Sequence, residues 1–220
     1  MELKQIATIY TDFPEKFGIP RQSGRAPLMG KIVFLPPYND RNAFRGIEQF
    51  SHLWVLFDFS EAHNGWSPLI RPPKLGGNKK IGVFASRSPF RPNNIGLSSV
   101  KLVKVDYTDG VTLLVEGVDI LDETPIYDIK PYLKFTDSHP DATCGYAGEH
   151  SLDSLSVNIP QELLNKLPED KRAPLIRCLS DDPRPSYHGD GREYAMAYAG
   201  FDIIFCVDGN LLKVKNILKK

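Results

Sequence analysis

The sequence predicts a mainly β protein, in which a β-barrel domain is followed by a small α+β domain at the C-terminus. Short segments rich in β-branched and aromatic residues follow one another up to residue 118. Helical spacers of about 12 residues, which a parallel doubly wound sheet needs, do not separate them, so a closed or nearly closed barrel is favoured. The 220 residues also include 18 prolines and 17 glycines, which favours short strands joined by rigid loops.

Six segments are the predicted strands of the barrel. They are LKQIATI (3–9), KIVFL (31–35), HLWVLFDF (52–59), KIGVFA (80–85), SVKLVKVD (99–106) and VTLLVEGV (111–118). Asp109 and Gly110 lie between the last two segments, and this pair marks a hairpin turn. Before residue 150, a short helix is predicted only around AFRGIEQF (43–50).

The pattern changes after residues 136–152, a polar and turn-rich segment that is predicted to be a linker. IPQELLNKL (159–167) and APLIRCL (173–179) are predicted short helices, each near a proline that the start of a helix tolerates. YAMAYAG, FDIIFCV and LLKVKNIL, which begin at residues 194, 201 and 211, are predicted strands. We therefore expect a barrel domain at 1–150 and an α+β domain at 151–220.

Composition and motifs exclude several classes of protein. The formal net charge is zero, so the overall charge indicates neither a nucleic acid nor a membrane surface as partner. The N-terminal residues MELKQIATIY lack the apolar core of a signal peptide, and no run is long enough to cross a bilayer. We therefore expect a cytoplasmic protein.

The sequence also lacks the usual metal and nucleotide motifs. The three cysteines form no CxxC pair and the five histidines show no ligand spacing, so no metal site is expected. GNKKIG (77–82) has the glycine spacing of a P-loop, but Val83 and Phe84 stand where Lys and Ser or Thr are required. No GxGxxG motif opens a helix after a strand, so a Rossmann dinucleotide site is not predicted.

Charge is strongly segregated in the middle of the chain. Between Ala62 and Val105 there are eight Lys or Arg residues and no acid, whereas residues 106–128 carry seven acids. Together with Trp66, Phe84 and Phe90, the basic block could contact phosphates and stack on bases. The alternative is a set of solvated side chains around proline turns.

Two further loops carry fixed charged groups. LDETPIYDIKPY (121–132) follows a predicted strand, and its acids could hold ribose hydroxyls or an amine; the alternative is a polar turn that caps local backbone groups. DPRPSY (182–187) is a stiff loop with one arginine, or simply a rigid connection.

Five blocks in fixed order give the chain a specific resemblance. They are PRQSGRA (20–26), AFRGIEQFSHLWVLF (43–57), RPPKLGGNKKIGVFASRSPFRPNNIG (71–96), LDETPIYDIKPYL (121–133) and DPRPSY (182–187). The chain resembles the bacterial tRNA N6-threonylcarbamoyladenosine methyltransferases, the TsaA-like or YaeB-like proteins. The resemblance implies a barrel that binds S-adenosylmethionine without a Rossmann fold. It also implies a homodimer and a tRNA substrate, methylated on N6 of threonylcarbamoyladenosine beside the anticodon of a threonine tRNA.

The resemblance also implies a set of cofactor contacts. They are expected at Ser23, Gly24, Arg25, Ser60, Glu61, Arg87, Asp122, Glu123 and Thr124. Two positions depart from the family pattern, which often has His at the position of Ser60 and usually has Gly at that of Glu123. If Glu123 needs a positive φ, it carries a strain that a glycine would not.

The remaining roles follow from the reaction that the resemblance implies. The substrate nitrogen is a poor nucleophile that must lose a proton, for which Asp128, with Tyr132 nearby, is the candidate general base. Arg91 or Arg184 could grip the threonyl carboxylate, while Arg87 faces the cofactor. Lys130 and Tyr187 complete the expected substrate contacts. The alternatives are a methyltransferase with another acceptor, and a module that senses S-adenosylmethionine or binds RNA without chemistry.

Overall fold

The fold comes from a computed structural model that describes residues 2–62, 65–72, 75, 79–148, 154–184 and 191–220. Its first part is a closed antiparallel barrel with the strand order β1-β2-β7-β6-β3-β8. The barrel strands are β1 (Ala7–Tyr10), β2 (Met29–Phe34), β3 (His52–Asp58), β6 (Ile95–Asp106), β7 (Thr112–Glu116) and β8 (Thr124–Pro131). A small two-stranded sheet, β4 (Leu69–Ile70) with β5 (Ile81–Gly82), lies in the long connection between β3 and β6.

Burial alternates along the barrel strands, so that every second residue points into the barrel. Ile9, Ile32, Leu53, Leu113 and Ile126 each expose 0–1% of their surface and fill the interior from five different strands. Gly96 makes room for one large side chain, because a Cβ atom there would lie 2.2 Å from the ring of Phe57. The barrel is therefore a packed core, and any ligand must bind at an end or on the outer wall.

The second part is a four-stranded sheet with the order β10-β11-β12-β9. Its strands are β9 (Ser156–Asn158), β10 (Glu193–Tyr198), β11 (Phe201–Asp208) and β12 (Leu211–Lys219), and β9 runs parallel to β12. Three short helices complete the fold, namely α1 (Lys134–Asp137), α2 (Gln161–Leu164) and α3 (Glu169–Ser180). Leu175 and Leu179 of α3 are fully buried.

The two parts share one apolar core. The ring of Phe13 contacts that of Tyr198 at a centroid distance of 5.3 Å, and Phe17 stacks on Tyr194 at 5.9 Å and on Phe205 at 6.3 Å. The segment after β1 thus lies against the inner face of the C-terminal sheet, in a cluster that continues into the barrel. The predicted domain boundary at residue 150 lies outside the described residues and stays a prediction.

The fold class predicted from the sequence is confirmed, with corrections to single elements. Segment 80–85 contributes only the two residues of β5, and these pair with β4 rather than with the barrel. The predicted helix at 43–50 consists of two short 3₁₀ turns, Arg41–Phe44 and Ile47–Gln49, separated by Gly46 at φ 91°. The sixth barrel strand is instead β8, within the segment that was predicted as a polar loop.

Candidate active site at the mouth of the barrel

One end of the barrel collects most of the predicted cofactor residues. We call this end the mouth and define it by the loops 20–26, 59–62, 82–94 and 117–123. The register places Asp58 of β3 opposite Ile95 of β6, and Thr124 of β8 opposite Ile9 of β1, so these loops emerge together. Residues distant in sequence are thereby brought together on a rigid scaffold.

Asp119 is the central polar group of the mouth. Ser98 Oγ donates a hydrogen bond of 2.6 Å to its carboxylate, and the backbone N–H of Ser23 donates another. Burial raises the pKa of Asp119 to about 6, although these hydrogen bonds and the nearby Arg87 act in the opposite direction. The carboxylate is therefore anionic at neutral pH while largely removed from water, as suits a ligand-binding group.

The loop 20–26 is held against the barrel by three consecutive residues. Arg87 donates to the side-chain carbonyl of Gln22, Ser23 bonds Asp119, and the Gly24 N–H donates to Gly117 O at 2.8 Å. Gly117 has φ 87°, and a Cβ atom there would lie 3.2 Å from Gly24 Cα. Glycine at position 117 thus permits a close approach of two backbones. Ser23, Gly24 and Arg87 lie together at the mouth, and their contact with the cofactor stays a prediction.

The other predicted cofactor residues near β8 hold the chain in place. The Asp122 carboxylate accepts from the Thr11 N–H at 2.8 Å, and its own N–H donates to Phe13 O at 2.9 Å. Glu123 is exposed and has φ 57°, which meets the condition for strain stated above. Thr124 is 2% exposed.

A buried carboxylate, that of Asp58, lies beside the mouth. Asp58 is 8% exposed and forms a hydrogen bond with Tyr127. Burial of Tyr127, together with the charge of Asp58 and this hydrogen bond, raises the pKa of the tyrosine. Leu56 pairs with Asp128 and Phe57 pairs with Ile126, so Tyr127 is the extra residue of a β-bulge. The bulge directs the Tyr127 side chain toward Asp58, a use of bulges that recurs near functional sites.

The side chains of Asn94 and Arg91 hold the remaining loops of the mouth by hydrogen bonds to backbone carbonyls. Asn94 donates from Nδ2 to Ala62 O at 3.0 Å and to Pro89 O at 2.8 Å, which ties the loop 59–62 after β3 to the loop 82–94. Arg91 donates to Val83 O at 3.0 Å and to Ser86 O at 2.9 Å. Arg91 therefore holds the loop 82–94 together by hydrogen bonds to backbone carbonyls of the same loop.

Several residues near the mouth have partners that sequence reasoning did not anticipate. Glu61 forms an ion pair of 2.8 Å with Lys16, and the preceding Ser60 is exposed. Phe84 exposes 71% of its surface beneath the guanidinium of Arg91, 5.4 Å from the ring centroid. The role of Arg91 toward substrate stays a prediction.

The predicted general base lies apart from the mouth. Asp128 pairs with Lys130 at 2.9 Å, and both line a different cavity of about 730 Å³ together with Tyr38 and Phe44. Tyr132 lies farther along, where its N–H donates to His52 O at the opposite end of β3. The structure therefore does not bring Asp128, Lys130 and Tyr132 together with Asp119.

The C-terminal part contributes a segment that contacts loop 20–26. Arg184 pairs with Asp182 at 2.9 Å, and its backbone carbonyl accepts from Arg21 at 2.9 Å. Arg25 forms a bidentate ion pair with Asp181 at 2.7 and 2.9 Å, which raises the pKa of Arg25. Tyr187 lies outside the described residues.

Sequence reasoning missed Asp119, Asp58 and Tyr127. Asp119 belonged to the acidic run 106–128, but nothing in the sequence distinguished it from the other acids there. Among the described residues, no group of three or more His, Cys, Asp or Glu side chains could hold a metal ion. Over the same part of the chain, no helix is long and apolar enough to span a membrane.

A closed barrel with a half-buried carboxylate at its mouth and no Gly-rich nucleotide motif defines a class of non-Rossmann barrel proteins, and solved structures share the whole fold. A structure of TrmO from Pseudomonas aeruginosa superposes with a TM-score of 0.81 at 32% identity, covering 100% of this chain and 97% of that one. A second TrmO structure has a TM-score of 0.80 at 31% identity and covers 99% of both chains.

Sequence comparison identifies the family. The tRNA-methyltransferase O N-terminal domain matches residues 8–138, and the TrmO C-terminal domain matches residues 153–220. The Escherichia coli K12 tRNA (adenine(37)-N6)-methyltransferase is 42% identical over 207 residues, which are 90% of this chain and 88% of that protein. A Pseudomonas aeruginosa relative named as a putative S-adenosylmethionine-dependent methyltransferase, RcsF, is 39% identical over 209 residues, 90% of this chain and 89% of that protein. The chain belongs to the tRNA-methyltransferase O family, and the resemblance inferred from the sequence is confirmed.

Proposed function

We propose that this protein transfers a methyl group from S-adenosylmethionine to N6 of threonylcarbamoyladenosine at position 37 of a threonine tRNA. Relatives named as tRNA (adenine(37)-N6)-methyltransferases support the reaction and the tRNA substrate. A relative named as a putative S-adenosylmethionine-dependent methyltransferase supports the cofactor. The observation that carries the proposal is the meeting of Asp119, the Ser23 N–H and Arg87 at the mouth. The enzyme acts in the cytoplasm and as a homodimer.

The residues of the mouth fit the cofactor chemically. S-adenosylmethionine, when bound, supplies a methyl group on a cationic sulfur, and the leaving group is a neutral thioether. The Asp119 carboxylate can accept from an amine or from ribose hydroxyls, and Arg87 can pair with a carboxylate. The close approach of Gly24 and Gly117 leaves backbone groups, rather than side chains, lining that part of the mouth.

The contribution of the chain to catalysis is mainly alignment. In-line displacement from a good leaving group needs correct geometry, which is worth about 7–11 kcal/mol in well-oriented reactions. Asn94 and Arg91 hold the loops on which that geometry depends. Asp128 and Tyr132, the general base predicted from the sequence, lie apart from the mouth, and Asp128→Asn in the assay below tests whether they take part in the reaction. Arg91, Lys130, Arg184 and Tyr187 remain the proposed substrate contacts.

An exposed apolar row on the outer wall supports the homodimer. Leu97 of β6 is 54% exposed and Ile95 is 36% exposed, and Leu97 pairs with Leu56 of β3. Such a row beside the mouth suits contact with a second copy. Sedimentation equilibrium should give twice the chain mass of 24.7 kDa for the native protein and a monomer for Leu97→Glu.

The reaction is tested with radiolabelled S-adenosylmethionine and two tRNA pools, one with and one without the threonylcarbamoyl group. We expect label in the modified pool alone, and loss of label with Asp119→Asn. Label in both pools would indicate another acceptor atom. Label in neither pool, despite cofactor binding by calorimetry, would contradict the proposed reaction and favour a sensor.

A further inference from the structure

The loop 20–26 is attached on two sides, through its central residues to the barrel and through its flanking arginines to the C-terminal part. Gln22, Ser23 and Gly24 bond the barrel side, as described above. Arg21 and Arg25, which flank them, bond the C-terminal part instead. The loop 20–26, which carries backbone N–H groups at the mouth, therefore connects the barrel to the C-terminal part, and its geometry depends on both.

The link through Arg25 has the stronger geometry of the two. Arg25 Nε lies 2.9 Å from Asp181 Oδ2, and Nη2 lies 2.7 Å from Oδ1. The Arg25 side chain is 30% exposed and that of Asp181 is 13% exposed, so water screens the pair only partly. A bidentate pair of this kind fixes orientation as well as distance. The Arg25 carbonyl also accepts from Arg177 Nε at 2.9 Å, which adds a backbone anchor beside the ion pair.

Asp181 is itself held by a rigid element. It directly follows α3, and its N–H donates to Cys178 O at 3.2 Å. Leu175 and Leu179 anchor this helix in the core with 0% exposure. The carboxylate of Asp181 is therefore a fixed point, and Arg25 is the flexible partner that takes its position from it.

We propose that Asp181 is a positioning residue for cofactor binding, which acts through Arg25 to hold the Ser23 and Gly24 N–H groups in place at the mouth. The inference rests on the proposed function, because it assumes that the mouth binds S-adenosylmethionine. It assigns to the C-terminal part a role in cofactor affinity that is separate from contact with RNA. In this role Asp181 acts through Arg25 and not through contact with cofactor or substrate.

A second ion pair provides a matched control. Lys171, also on α3, pairs with Asp12 at 2.7 Å, with side-chain exposures of 23% and 17%. This pair joins the same two parts of the molecule, but at a place outside loop 20–26. Asp181→Asn and Lys171→Gln each remove one charge from such a pair, so a purely structural effect would be similar in both variants.

The first measurement is amide hydrogen exchange of the protein without cofactor. Asp181→Asn should speed exchange at Ser23 and Gly24, whereas Lys171→Gln should leave these two amides as in the native protein. This readout does not require that the mouth binds S-adenosylmethionine. Equal exchange at both amides in all three proteins would overturn the positioning role.

The second measurement is the affinity for S-adenosylhomocysteine by calorimetry. We expect binding to weaken about tenfold in Asp181→Asn and in Arg25→Gln, with little change in Lys171→Gln. The exchanged pair Arg25→Asp with Asp181→Arg should recover most of the affinity. In steady-state assays, KM for S-adenosylmethionine should rise while kcat stays nearly constant.

The outcomes separate this inference from the proposed function. A native protein that does not bind S-adenosylhomocysteine would refute the proposed function, whereas hydrogen exchange would still decide the positioning role. Equal loss of affinity in Asp181→Asn and Lys171→Gln would overturn the inference and leave the function standing. Failure of the exchanged pair to recover affinity, with normal thermal stability, would also count against it.

Discussion

The mouth of the barrel buries polar groups, whereas the C-terminal sheet buries apolar side chains. Among the described residues, the buried polar or charged ones are Asp58, Ser98 and Thr124, which all lie near the mouth. The inner face of the C-terminal sheet is apolar, and Ile203, Phe205 and Val207 of β11 are 0% exposed. The C-terminal sheet therefore contributes stability, whereas the mouth loses stability in exchange for polar groups that can bind a ligand. Variants in the two regions should therefore move stability and function in different directions.

The largest effect on stability should come from the C-terminal sheet. Phe205 packs against Phe17 and Tyr194, and Phe205→Ala removes a fully buried ring. We expect a loss of about 3–5 kcal/mol in the free energy of unfolding, measured by urea denaturation. At temperatures where the variant is folded, its affinity for S-adenosylhomocysteine should be close to native. A loss below about 1 kcal/mol would show that this face is not the stabilising region.

The mouth should show the reverse behaviour. Asp119→Asn removes a half-buried charge but keeps a side chain of the same shape, so the free energy of unfolding at pH 7 should rise by about 2–3 kcal/mol. Binding of S-adenosylhomocysteine should be lost at the same time. A variant that lost both stability and binding would contradict the view that the mouth gives up stability for function.

The pH dependence of stability provides an independent check on Asp119. Its pKa is about 6 in the folded protein and 3.8 without the fold, so the folded state binds the proton more tightly. The contribution of Asp119 to stability is thus complete below pH 3.8 and is lost as the pH rises toward 6. Urea unfolding at several pH values should show the native protein and Asp119→Asn diverging across this window. Parallel curves would show that Asp119 titrates normally.

The smallest effect concerns backbone strain, which both regions share. Glu123 at the mouth has φ 57°, and Ala199 in the turn between β10 and β11 has φ 50°. Replacement of either residue by Gly should stabilise the protein by about 0.5–1 kcal/mol, because the left-handed conformation is strained for other residues. Thermal unfolding of the two variants measures this directly. Stabilisation at Ala199 alone would mean that the Glu123 side chain makes compensating contacts at the mouth.

The sequence predicted best those elements that its local pattern determines. β3, β11 and β12 are runs of seven or more residues rich in apolar side chains and were predicted nearly in full. β8 was missed because Pro125 and Pro131 lie at its two ends, and proline argues against a strand when it is read without the fold. Strand pairing with β1 and β3, which is a long-range property, overrides that local signal.

The residues of the candidate site likewise divide into those that the local sequence indicates and those that only the fold distinguishes. Ser23, Gly24 and Arg87 lie together at the mouth and belong to the sequence blocks that carry the family resemblance, and their role toward the cofactor stays a prediction. Asp119 was not found, because its importance depends on burial and on hydrogen bonds from Ser98 and Ser23, which the chain brings close only after it folds. Asp128 looked equally acidic in the sequence, yet it pairs with Lys130 beside another cavity.

The stacking of Phe17 on Tyr194 and Phe205 also determines how the protein unfolds. A core that continues from the barrel into the C-terminal sheet makes the two parts a single cooperative folding unit. Denaturation should therefore occur in one transition, and a chain cut within residues 139–152 would expose aromatic surface on both pieces. Dissection of this enzyme is accordingly better done one side chain at a time than by truncation.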